Sequence, residues 1–112
     1  DGDSNPDALS DGLLILRSMF GLTDEALTQN AISPSAQFTT SADIMSRING
    51  LGLLLDVDGN SKLDPLSDGL LVLRYLFCIR GTTLINGVIA TDATRTTASE
   101  IESYLEKMAP NI

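Results

Sequence analysis

Residues 56–77 read Asp56-Val57-Asp58-Gly59-Asn60-Ser61-Lys62-Leu63-Asp64-Pro65-Leu66-Ser67-Asp68 and then, without a break, Gly69-Leu70-Leu71-Val72-Leu73-Arg74-Tyr75-Leu76-Phe77. In a tightly curled loop, alternate residues point at a common centre. There Asp56, Asp58 and Asn60 offer side-chain oxygens, Lys62 offers its backbone carbonyl, and Asp68 reaches back from the first helical turn. Asp64 either joins them or caps the helix, and Pro65 suits the first helical position, where a missing amide costs nothing. Leu66, Leu70, Leu73 and Phe77 recur at i, i+4, i+7 and i+11, which predicts one helix face turned to a core, widened by Leu71, Val72 and Leu76. The stretch therefore reads as an oxygen-rich loop leading into an amphipathic helix, and the fold class as all-α.

The same text stands 57 residues earlier. Asp11-Gly12-Leu13-Leu14 falls on Asp68-Gly69-Leu70-Leu71, and Asp1-Gly2 falls on Asp58-Gly59. Leu16-Arg17 matches Leu73-Arg74, Phe20 matches Phe77, and Leu27 matches Leu84. Thr39-Thr40 then matches Thr96-Thr97 and Ile44 matches Ile101, still without a gap. A fixed period of this size marks an internal duplication. We divide residues 1–112 into a first unit, 1–55, and a second, 56–112, within one domain. The first unit repeats the stripe with Leu9, Leu13, Leu16 and Phe20, and its loop keeps Asp1, Asp3, the Asn5 carbonyl, Asp7 and Asp11. It has no residue for the opening loop position, so its site is expected to be the weaker.

Each unit carries a second helix. Thr97 and Glu100 form a capping box, followed by Ile101, Tyr104, Leu105 and Met108 on one face. The matching helix runs from Thr40 through Ile44 and Ile48 to about Asn49, with Gly50 and Gly52 predicted to end it. Short helical turns are predicted at 24–30 and 82–87. Two helices with one apolar face each cannot cover those faces alone, so the units are expected to pack as a compact bundle with pseudo-two-fold symmetry. Ile112 aligns with Leu55, so another loop-opening aspartate would follow in a continuing array, and the register suggests a longer tandem series.

Three carboxylates brought to one point repel, which calls for a hard cation. The donors are all oxygens, the chain has no histidine, and its one cysteine has no partner. These facts favour calcium over zinc and magnesium, at two sites. The formal net charge of −8 disfavours nucleic acid and anionic lipid as partners, and no apolar run approaches the roughly 20 residues of a membrane span. Without histidine no Ser-His-Asp or Cys-His machinery can be assembled, and without tryptophan there is little to build a sugar platform, so the chain reads as noncatalytic. Cys78 is predicted to be a small buried hydrophobe, and Tyr75 and Tyr104 to serve in packing.

Asp56-x-Asp58-x-Asn60 followed by Asp68-Gly69-Leu70-Leu71-Val72-Leu73-Arg74-Tyr75-Leu76-Phe77 resembles the duplicated calcium loop and helix of dockerins and related extracellular EF-hand-like repeats. Ser61 takes the sixth loop position, where glycine is usual, and Asp68 falls thirteenth rather than twelfth, which implies a loop expanded by one residue. The resemblance implies a duplicated EF-hand-like arrangement and a structural or docking module of a secreted or cell-surface multidomain protein. It would work with calcium ions and with a protein partner or neighbouring repeats. An alternative is a calcium-dependent switch that exposes an apolar helix groove to a protein partner.

Overall fold

Helix starts are specified locally. Asp7 and Asp64 each accept the amide of the residue two positions on, Leu9 at 2.7 Å and Leu66 at 2.8 Å. Pro65 occupies the first turn after Asp64. The computed structural model, which describes all 112 residues, contains helices and connectors and no strand. Six α-helices follow in order: α1 Leu13–Met19, α2 Asp24–Thr28, α3 Ser41–Leu51, α4 Leu70–Leu76, α5 Thr82–Ile85 and α6 Ala98–Met108. Thr40 caps α3, and Thr97 with Glu100 forms the reciprocal box that opens α6. The short turns predicted after each loop helix are α2 and α5. α3 runs through Gly50 to Leu51, and Gly52 alone stops it, at φ +52°.

The radius of gyration, 13.1 Å, is what one compact domain of this length requires, about 13 Å. A single core supplies it. The buried side chains pair off along the 57-residue register: Leu14 with Leu71, Ile15 with Val72, Leu27 with Leu84, Ile44 with Ile101, Ile48 with Leu105, and Leu51 with Met108. Arg17 and Arg74 do matching work. Each sends its guanidinium to carbonyls at the end of the following short helix, Leu27 and Gln29 for Arg17, Leu84 and Asn86 for Arg74.

The predicted core stripe is corrected in part. Leu9 and Leu66 are each 62% exposed, Phe20 is 54% exposed and Phe77 50% exposed. The face turned to the core is that of Leu14 and Ile15 in α1, and of Leu71 and Val72 in α4. Leu16 and Leu73 instead pack across the boundary between the halves onto facing glycines. A Cβ on Gly69 would lie 2.7 Å from Leu16 Cδ1, and one on Gly12 would lie 2.9 Å from Leu73 Cδ1. A side chain at either glycine would force the facing leucine to shift.

Cys78 is also corrected. It is exposed and sits just past α4 at φ +66°. Its amide bonds to the Tyr75 carbonyl, and that of Ile79 bonds to Arg74. This is the left-handed helix stop that Gly21 makes after α1 with Ser18 and Arg17, a glycine position filled by cysteine.

The corrected face makes a direct prediction for urea unfolding followed by circular dichroism. Leu71→Ala should lower stability by about 2–5 kcal/mol, and Phe77→Ala by less than about 1 kcal/mol. A larger cost at Phe77 would restore it to the core.

Candidate metal centre

The turn between loop and helix is wound wider than an α-helix. The amide of Gly69 bonds to the Asp64 carbonyl at 3.1 Å, and that of Gly12 to the Asp7 carbonyl at 3.0 Å. Both are five-residue steps of π type, which accommodate one extra residue and recur at functional sites. The wide turn absorbs the thirteenth residue and carries Asp68 and Asp11 back over their loops.

In the second loop this brings together Asp56, Asp58 and Asp68, all buried. One carboxylate oxygen from each lies within 4.8 Å of the other two. Asp56 accepts the amides of Gly59, Asn60 and Ser61, at 3.0, 3.1 and 2.8 Å. Asp68 accepts those of Val57 at 2.7 Å, Asp58 at 3.2 Å and Asp64 at 3.0 Å. Asp58 uses one oxygen to accept the Ala90 amide at 3.3 Å, while its other oxygen is buried with no partner.

The first loop gathers Asp1, Asp3 and Asp11 within the same 4.8 Å, Asp1 and Asp11 buried and Asp3 half-buried. Asp3 is held by the hydroxyls of Ser33 and Ser35, each at 2.7 Å. Asp11 accepts the Asp1 nitrogen and the Asp7 amide. Asp1 accepts the Ser33 amide at 3.1 Å with one oxygen, and again the other is buried and unpaired.

Of the predicted acidic ligands, Asp64 and Asp7 are not part of these triads. Asp64 and Asp7 are exposed caps of their helices. Asn60 accepts the Lys62 amide and gives its side-chain amide to Asp92 at 3.0 Å, while the Lys62 ammonium pairs with Asp92 at 3.1 Å. Asn5 donates its backbone amide to Asp3. Several residues that hold the sites were not visible in the loop spacing: Ser33, Ser35, Ala90, Asp92, Thr94, Arg95 and Tyr104. All lie about 30 or more residues downstream of their loops, where local pattern carries no signal.

Two ionised carboxylates about 5 Å apart at an effective dielectric of about 20 repel by roughly 3 kcal/mol, and burial adds to that. Desolvation raises the Asp58 carboxyl. It pushes Asp68 up to about 6, against the hydrogen bonds it receives. The second triad thus needs a proton or a cation, whereas in the first the Asp1 ammonium already pairs with Asp11. Three convergent oxygens with a buried unpaired lone pair among them are placed to hold a metal ion.

Protein-family models, curated proteins and solved structures were compared with the chain, and none matched.

Two predictions follow from the charge balance. Because Asp68 binds its proton more tightly folded, at about 6, than unfolded, at 3.8, the metal-free fold loses stability as pH rises from about 4 through about 6. Melts in chelator should accordingly give a lower Tm at pH 7.5 than at pH 5, and saturating cation should cancel the difference. The carboxyls of Asp3 and Asp92, held low mainly by hydrogen bonds from Ser33 and from Asn60, titrate below that window. Asp58→Asn, which removes one repelling charge, should leave Tm in chelator equal to or above that of the parent while removing the second loop's share of the response to added cation, leaving only that of the first loop. A large loss of Tm in chelator would show Asp58 to be wholly structural.

Proposed function

We propose that the chain is a calcium-binding, noncatalytic structural or docking module, dockerin-like in its loop and helix, of a secreted or cell-surface multidomain protein. The observation that carries this reading is the buried, unpaired oxygen of Asp58, with its counterpart on Asp1, each on a carboxylate that converges with two others. Hard oxygen donors without histidine or a second cysteine suit calcium rather than zinc. Flexible loop carboxylates suit calcium's adaptable coordination better than magnesium's rigid octahedron.

The shared 57-residue register of caps, wide turns and arginine bonds supports a duplicated EF-hand-like arrangement with pseudo-two-fold symmetry. Extracellular calcium, near millimolar, would fill even weak sites of this kind. Binding to the folded state alone stabilises it by about 2.7 kcal/mol at one hundred times Kd. Exposed Leu9, Phe20, Leu66 and Phe77, paired by the same register, support the docking side of the reading.

Calorimetric titration of the chelator-stripped protein should give two calcium binding events, with the second loop the tighter. Calcium should raise Tm by more than about 5 °C, and magnesium by less. Fluorescence of an apolar dye, unchanged by calcium, would fit a fixed module, whereas a calcium-dependent rise would favour the switch that opens an apolar groove. Absence of both heat and a Tm shift would remove the metal assignment.

A further inference from the structure

The segment between α5 and α6 lies against the second metal loop and meets it with a set of donors. The amides of Thr94 and Arg95 both bond to the Asp58 carbonyl, at 2.8 and 2.9 Å, and the Thr94 hydroxyl bonds to that of Gly59 at 2.8 Å. Arg95 reaches further. Its Nε donates to the Val57 carbonyl at 2.6 Å and its Nη2 to the Asp56 carbonyl at 2.7 Å. The guanidinium lies 3.9 Å from the centroid of the Tyr104 ring, and the Tyr104 hydroxyl donates to the Leu54 carbonyl at 2.8 Å. Three carbonyls at the entrance to the loop, at 54, 56 and 57, are therefore held from one side by a stacked arginine and tyrosine.

We infer that Arg95 is a positioning residue for the second metal site, fixing through its planar fork the backbone that presents Asp56 and Asp58. This rests on the proposed metal reading of those carboxylates. Two effects of Arg95 oppose each other there. A fixed cation beside the loop repels an incoming cation, so charge alone makes Arg95 weaken the site. Holding the ligands in place before the metal arrives strengthens it, as partners that orient metal ligands do elsewhere. The bidentate fork on two successive carbonyls, stacked on an aromatic ring, is the geometry in which arginine orders what it touches and lysine cannot replace it.

The first half exchanges the two residue types. Phe38 stands at the register position of Arg95 and packs against Gly2, while Arg47 stands at that of Tyr104 and sends its guanidinium to the Asn111 carbonyl. The first loop's own carbonyls thus receive no such fork, and the effect of Arg95 is confined to one site.

The test is calcium titration of the whole chain as parent, Arg95→Met, Arg95→Lys and Tyr104→Phe, each first checked for folding in chelator by circular dichroism. Positioning predicts that Arg95→Met and Arg95→Lys both weaken the tighter event by about tenfold and leave the weaker one unchanged, with Tyr104→Phe intermediate. If charge governs, Arg95→Met binds calcium more tightly and Arg95→Lys binds like the parent, and the assignment is overturned. Where Arg95→Met does not fold without metal, Arg95→Lys, which keeps the charge and loses the fork, decides. A parent chain that takes up no calcium overturns the metal reading itself, and the role of Arg95 with it, an outcome distinct from normal binding that Arg95 does not affect.

Discussion

Three carboxylates whose oxygens converge within 4.8 Å cannot all remain ionised in a buried loop with nothing positive among them. The repulsion between each pair, roughly 3 kcal/mol, is set against a total stability that for a domain of this size is only about 5–15 kcal/mol. Backbone amides relieve part of it, three on Asp56 and three on Asp68. They cannot relieve all of it, because the free oxygen of Asp58 meets no donor and Asp68 is still driven towards its protonated form by burial. The loop is therefore shaped as if for a charge it does not itself contain.

That constraint organises the fold around it. The wide turn after Asp64 and Asp7 exists at the one place where a normal α-turn would set Asp68 and Asp11 differently over their loops. The connectors before α3 and α6 are pinned to the loops by bonds to the aspartates at their centres: the Gln37 and Phe38 amides to the Asp1 carbonyl, and the Thr94 and Arg95 amides to that of Asp58. The helices that follow deliver Ile44, Ile48, Ile101 and Leu105 to the same core that α1 and α4 enter. Loop geometry and core packing are in this way linked through the connectors, so that ordering one orders the other.

What could be read from the sequence was whatever lies within one loop and one helix. Asp64, Pro65 and the Thr97–Glu100 box act on neighbours two or three residues away, and the extra residue before Asp68 appeared as a count before it appeared as a wide turn. The helix face was misjudged at Leu66 and Phe77, because periodicity gives a stripe without telling which of its ends the rest of the chain covers. The exposure of Cys78 follows from its place after a helix, where Gly21 in the other half marks a left-handed stop, and its apolar neighbours in sequence conceal this. Arg95 gave no signal, since its partners are carbonyls nearly forty residues away and carbonyls leave no trace in residue type.

The two triads each gather three carboxylates from different loop positions, and in the first the Asp1 ammonium also pairs with Asp11. In the first, Asp3 completes the triad and is held by two hydroxyls; in the second, the equivalent Asn60 is neutral and turns to Asp92, while Asp56 completes the triad. Affinity for a hard cation depends on ligand charge and on the rigidity of the site. The second triad has no such ammonium among its acids, and the two differ in rigidity as well. Asp56 binds three amides of its own loop, and the backbone that carries it is held by Arg95, whereas Asp3 binds one amide of its loop and two serine hydroxyls that rotate freely when unbound. The second loop is thus the better prepared of the two, for a reason that lies in its backbone rather than in its list of acids.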